Sequence, residues 1–386
     1  MHHTPSISSS KLPNVGTNIF TTMGRLANEH GAVNIAQGFP NFEPDPVLID
    51  LVSEAMNKGY NQYAPMAGDF GLREVIAQKM EQLYGRYYHP EHEVTITIGA
   101  TQAIYSIIGA FVRPGDEVIV FKPAYDCYEP AIEINGGVPV LIPLQGLTYT
   151  IDWKEFKGKL SSKTKMVIIN TPHNPSGTLL SKEDMLQLQQ LLKGTDIILI
   201  SDEVYEHIVF DGKSHESAAK YPDLAARSFI CASFGKTFHI TGWRTGYCVA
   251  PEALMYEFRK SHQFNVFSAN HPIQVALATY MKNPKTYLEL SSFFEQKRNF
   301  FLNAIAGSRF KAIPSQGTYF QLLDYSAITD ENDLTLAKRL VREYGIASIP
   351  ISVFNINEEN KTHQLRFCFA KTAETLEKAA EILLKI

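Results

Sequence analysis

Through the middle of the chain, short apolar runs alternate with longer stretches of helical period. Val94 to Ile98 (VTITI) is β-branched and stops at Gly99, and Ala103 to Val112 (AIYSIIGAFV) then repeats its apolar positions at helical spacing. An RPGD turn leads into a strand over Val118 to Phe121, and a further run lies at Val138 to Ile142. Met166 to Asn170 (MVIIN) breaks at TPHNPSG. The next segment, Leu180 to Leu192, carries Ser181 and Asp184 at the spacing of a capping box and predicts a helix. Ile197 to Ser201 (IILIS) and Phe229 to Ala232 are again short and apolar, the pattern of strands covered on both faces.

Strands of this kind separated by helices of about a dozen residues predict right-handed crossovers and a mostly parallel sheet. A three-layer α/β/α core over about 46 to 280 follows. The remainder predicts a long helix around Tyr287 to Ile305 and strands at Tyr319 to Leu323 and Gln364 to Phe369, which suit a smaller α+β domain. The expected division is an arm with part of the small domain over 1–45, a large domain over 46–284 and a small domain over 285–386. Residues 1 to about 15, with Ser8, Ser9 and Ser10 consecutive and Pro13 following, read as an extended arm.

Composition narrows the function. Of 386 residues, 45% are hydrophobic and 20% charged, which excludes a disordered or collagenous chain, and the net charge of -4 offers no basic field for nucleic acid or anionic lipid. Small molecules are the expected partners. Cys127, Cys231, Cys248 and Cys368 stand singly in apolar surroundings, as reduced thiols do. With no basic start, no secretory apolar region and no bilayer-length run, the expectation is a cytoplasmic protein that binds neither membrane nor nucleic acid.

In open α/β sheets ligands sit beyond the carboxyl ends of the strands, so the residues just after each strand carry the chemistry. Five such loops hold pointed residues: Gly99-Ala100-Thr101-Gln102, Tyr125, Asn174-Pro175-Ser176-Gly177, Asp202-Glu203-Val204-Tyr205 and Ser233-Phe234-Gly235-Lys236-Thr237, with Arg244 a turn further on. A strand ending in Gly99 and passing into a helix exposes N–H groups that suit a phosphate, although taken alone a tight βα turn explains the glycine better. Gly235-Lys236-Thr237 invites a nucleotide-binding P-loop reading, but that motif needs glycine where this chain has Ile230. A lysine at a strand end in an α/β crevice is poised to be partly desolvated and nucleophilic, although on its own a solvated lysine is the better reading.

Taken together and in order, NTPHNPSGTLL, DEVYEHIVF and SFGKTFHITGWRTGYCVAP resemble the class I/II pyridoxal-phosphate aminotransferases, with the fold type I, aspartate-aminotransferase-like architecture. The resemblance runs from NIAQGFPNFEPDP to QLRFCFA, and QGFPNF, NQYAPMAG, PAYDCYEP and NTPHNPSG are most similar to the methionine and kynurenine/glutamine aminotransferase groups. It implies that Lys236 forms the aldimine with the aldehyde of pyridoxal 5'-phosphate and that Asp202 faces the pyridine nitrogen. It further implies that Asn174 and Tyr205 donate to the phenolic oxygen, and that Ser233, Arg244 and the Ala100 and Thr101 amides clamp the phosphate. Tyr125 would stack on the ring, and Tyr63 would reach the phosphate of a neighbouring subunit, implying a homodimer. Arg366 would take the substrate α-carboxylate, with Asn174 and the Gly38 backbone on the same side. Amino acid and 2-oxo acid substrates follow.

One segment departs from the dicarboxylate-specific pattern. His262 to Ile273 (HQFNVFSANHPI) holds no arginine for a side-chain carboxylate, whereas Phe20, Phe39, Phe264 and Phe267 offer apolar surface. This favours methionine or aromatic donors over aspartate. Other residues read as structural. Asp202 and Glu203 should point apart by strand alternation, and His173, His207 and His239 lack metal-ligand spacing. Trp153 and Trp243 read as core, and the basic residues of KRNFF (Lys297 to Phe301) as a solvated helix face. Two rival functions use the same features: a β-lyase acting on cysteine conjugates at this site, and a cofactor-sensing regulator, which would need a DNA-binding domain that fewer than about fifty residues before the core cannot supply.

Overall fold

The structure, a computed structural model, describes residues 10–356 and 363–386. Most of the amino-terminal serine run and the start of the expected arm lie outside the described residues. In chain order the strands are β1 (Val33–Asn34), β2 (Val94–Thr97), β3 (Glu117–Lys122), β4 (Val138–Pro143), β5 (Thr164–Asn170), β6 (Ile198–Asp202), β7 (Ser228–Ser233), β8 (Gly246–Val249), β9 (Lys311–Ala312), β10 (Phe320–Asp324), β11 (Ile346–Ala347), β12 (Ile349–Pro350) and β13 (Gln364–Cys368).

Seven of them form the main sheet in the order β2-β8-β7-β6-β5-β3-β4. Six run one way; β8 is antiparallel to both its neighbours, so the mostly parallel sheet expected from the sequence carries one reversed strand. The VTITI, MVIIN and IILIS runs become β2, β5 and β6, whose apolar residues are buried on both faces. The helix Lys182–Leu192 starts with the predicted capping box, in which Ser181 accepts from the Asp184 N–H and the Asp184 carboxylate accepts from the Ser181 N–H. Register then sets the ligand edge. Asn170 pairs with Asp202, Asp202 with Cys231, and Ser233 with Gly246, so β5, β6 and β7 finish side by side.

A second sheet, β12-β13-β10-β9, is antiparallel, and β1 pairs with β11. Arg366 lies on β13, flanked by Leu322 of β10 and Ile349 of β12. The helix Ile19–Glu29 packs against β11 and β12 and brings Phe20 over Arg366. Among the described residues no helix is long and apolar enough to cross a membrane, and all four cysteines are unpaired.

Two expectations need correction. The long helix at 287–305 is interrupted at Glu289, whose φ of -81° and ψ of -8° leave the helical range in a turn between Lys285–Leu288 and Leu290–Ala304. KRNFF is no solvated face. The Arg298 side chain is 3% exposed, bonds both carboxylate oxygens of Asp211 at 2.6 and 2.8 Å, donates to the Ser315 carbonyl at 2.6 Å and lies over the Phe210 ring. Lys297 donates to the Lys371 carbonyl and covers Phe42 and Phe293. Arg298→Met is accordingly expected to destabilise the protein by about 2 kcal/mol in chemical denaturation, because it strands a buried carbonyl and breaks a bidentate pair. A change below about 0.5 kcal/mol would mean that the pair is as weak as a surface ion pair.

Candidate active site

Where β5, β6 and β7 end, a cleft with about 580 Å³ of free space, its mouth included, opens. Nine of the residues singled out from the sequence line it: Ala100, Thr101, Tyr125, Asn174, Asp202, Tyr205, Ser233, Lys236 and Arg244. Arg366 and Gly38 adjoin through direct bonds, Arg366 Nη1 donating to Asn174 Oδ1 at 2.7 Å and Lys236 Nζ to the Gly38 carbonyl at 3.2 Å. Tyr63 is not among them. It is 81% exposed and meets Phe267 edge to face; Phe264, elsewhere in the same segment as Phe267, is 87% exposed. Phe267 therefore stands with Tyr63, whereas Phe20 lies over Arg366 and Phe39 over Lys371.

One end of the cleft suits an anion. The helix Gly99–Phe111 begins without a side-chain cap, leaving its first N–H groups free, and its positive end faces Ser233 and Arg244 across the cleft. Arg244 adopts a left-handed backbone (φ 54°, ψ 52°), and its guanidinium crosses Gly99 so closely that a Cβ there would come within 2.8 Å of Nη2. Gly246 serves the same junction, since a Cβ on it would meet the Ala232 carbonyl at 2.6 Å and the Ala100 nitrogen at 3.1 Å.

In the middle stands Asp202, buried, with Oδ2 accepting from the Tyr128 hydroxyl at 2.5 Å and Oδ1 accepting a long bond from the Val204 N–H at 3.3 Å. Burial pushes its carboxyl up to about 6, against the pull of those two donors and of the Lys236 charge. Such a carboxylate is under-compensated and suits a cationic partner. Glu203 turns the other way, as alternation requires, and accepts from Ser201 Oγ, the Ala218 N–H and His215 Nε2. Lys236, on the short helix Phe234–Thr237, has its amine brought down to about 8, first by burial and then by Arg366 and Arg244. It is a nucleophile near neutrality, between the rings of Tyr205 and Tyr319.

Arg366 is 1% exposed, with its guanidinium carbon 3.9 Å from the centroid of the Phe320 ring and flanked by Phe20 and Phe354. Its Nε has no hydrogen-bond partner among the described residues. A buried guanidinium with an orphaned donor is built for a carboxylate. Asn174 is oriented by Asn170, which accepts from the Asn174 N–H at 2.7 Å and donates to the Asp202 carbonyl. His173 is structural, bonded to Ser176 Oγ and the Pro123 carbonyl. Among the described residues no acidic, histidine or cysteine cluster could hold a metal ion. Asn170, Tyr128, Tyr319, Phe320 and Phe354 escape the sequence reading. Asn170 alone had a signal there, as the last residue of a strand.

This fold and cleft define a class. The chain matches the family described as aminotransferase class I and II over residues 31–383, and it belongs to that family. It is 47% identical to the methionine aminotransferase of Escherichia coli K12 over 99% of both chains. It is 31% identical to human kynurenine--oxoglutarate transaminase 1, over 98% of each. A solved E. coli structure described as having a methionine aminotransferase function superposes with a TM-score of 0.96 at 46% identity, covering 99% of this chain and 100% of that one. The protein is an aminotransferase of the fold type I architecture, and the family implies pyridoxal phosphate.

Proposed function

We propose that the protein moves the amino group of methionine, and of other large uncharged amino acids, to a 2-oxo acid, using pyridoxal 5'-phosphate held by Lys236. The observation that carries this is the convergence of a depressed lysine amine, an under-compensated buried carboxylate and an orphaned buried guanidinium on one cleft. When bound, pyridoxal phosphate supplies an electron sink that acidifies the substrate Cα–H bond. Asp202 would hold positive charge at the ring nitrogen, and Asn174 and Tyr205 would donate to the phenolic oxygen. Ser233, Arg244 and the Ala100 and Thr101 amides would clamp the phosphate, with Tyr125 over the ring. Arg366 would fix the substrate carboxylate by two parallel bonds, with Asn174 and Gly38 beside it. The free Lys236 amine, resting near the Gly38 carbonyl, would take the Cα proton and return it.

Donor choice follows from charge. No arginine lies in 262–273, and Arg366 is walled by Phe20, Phe320 and Phe354. A side-chain carboxylate buried without a cation costs several kcal/mol, so kcat/KM for methionine should exceed that for aspartate by about a hundredfold. Equal values across an amino acid panel would overturn the donor assignment. The β-lyase reading is not favoured by relatives that carry transaminase names. It would return only if pyruvate formed from cystathionine without any 2-oxo acid.

The reading includes an amino-terminal arm with part of the small domain over 1–45, a large domain over 46–284, a small domain over 285–386, a cytoplasmic setting and a homodimer. Tyr63, Phe264 and Phe267 support the dimer, because an aromatic group this exposed is characteristic of a covered surface. Sedimentation velocity should give twice the mass of one chain. An active species of single-chain mass would refute shared sites.

A further inference from the structure

The Tyr128 hydroxyl has one hydrogen-bond partner among the described residues, Asp202 Oδ2 at 2.5 Å. Its ring stands edge-on to Tyr125 and forms part of the wall between the cleft and a second, mainly apolar cavity lined by Phe121, Leu144 and His173. Both nitrogens of His173 are already bonded, so His173 does not compete for the hydroxyl. The phenol is a lone donor aimed out of apolar packing at one carboxylate oxygen.

We infer that Tyr128 is a positioning residue which, through its hydrogen bond to Asp202, keeps the proton shared between that carboxylate and the cofactor ring on the ring nitrogen. This rests on the proposed role of pyridoxal phosphate. A carboxylate that accepts a hydrogen bond is the weaker base. The other titratable groups acting on Asp202 are Glu203, which follows the end of β6 and points away, Cys231 on β7, Tyr125 and Cys127 on the segment before Tyr128, and Lys236. Burial and Glu203 raise the proton affinity of Asp202; Tyr128 is the side-chain donor that lowers it. Without that donor the proton drifts to the carboxylate and the ring becomes a poorer electron sink.

The test compares wild type with Tyr128→Phe, which removes one oxygen and keeps the ring, at saturating cofactor. The expected results are a kcat lower by about tenfold with KM for methionine little changed, the worth of one hydrogen bond to a charged group. The colour change of the bound chromophore should move about one pH unit higher, and the ¹⁵N resonance of ring-labelled cofactor should shift toward neutral pyridine. Tyr128→Leu replaces it if the phenylalanine variant is not recovered folded. Wild-type resonance, colour-change pH and kcat in a folded, cofactor-bearing variant would overturn the inference. A wild-type protein that forms no coloured adduct would instead sink the cofactor reading itself.

Discussion

Lys236→Ala should lower transamination by about four orders of magnitude or more while leaving the protein folded, since the loss combines a covalent anchor with a general base. Among the described residues no second primary amine lines the cleft. The wild-type protein should be yellow, and borohydride should mark Lys236 alone. Capture of pyridoxal phosphate by cofactor-free protein should accelerate about tenfold per pH unit below the amine's midpoint and level off above about 8. Exogenous small amines should restore part of the turnover of the alanine variant. A label on another lysine, or a variant retaining a tenth of the activity, would remove Lys236 from the mechanism.

Asp202→Ala should cost about three orders of magnitude in kcat, because an unprotonated ring is a poor acceptor of the Cα electron pair. The same residue carries an opposite effect on stability. Its carboxyl is raised from 3.8 to about 6 by burial, so folding is favoured by the protonated form. That advantage is full below the unfolded pKa and is lost as the pH rises through about 6. Above that pH the cofactor-free protein bears the whole penalty, on the order of 3 kcal/mol. Asp202→Asn should therefore melt higher than wild type without cofactor at pH 7.5, and the difference should vanish near pH 4. Near-normal turnover in Asp202→Ala, or no gain in melting for the asparagine variant, would contradict the respective argument.

The strand ends were legible because burial on both faces leaves a mark that needs no tertiary knowledge: MVII and IILI are apolar throughout, and the polar residues that follow them include Asn170 and Asp202, both at the cleft. The reversed strand β8 was not, for GYCV is four residues long and sits inside a motif read for its chemistry. Arg298 was misread because its partner, Asp211, lies 87 residues earlier, beyond the reach of any local charge pattern. Phe320 and Phe354 reach Arg366 only because β13 lies beside β10 and β12. Tyr128 looks like any core tyrosine until a carboxylate is found against its hydroxyl. The donor pocket was legible only in part, since the rings found over Arg366 are Phe20, Phe320 and Phe354, while Phe267 lies against Tyr63.

Asp202 and Glu203 are neighbours in the chain, yet the end of β6 stands between them like a septum, with the cleft on one side and Ser201, His215 and the Ala218 amide on the other. Two adjacent codons thus answer to different tests. In a saturation screen that scores activity and soluble yield separately, substitutions at 202 should fill the bin of abundant, inactive protein, and those at 203 should thin out the soluble fraction before activity can be asked about at all.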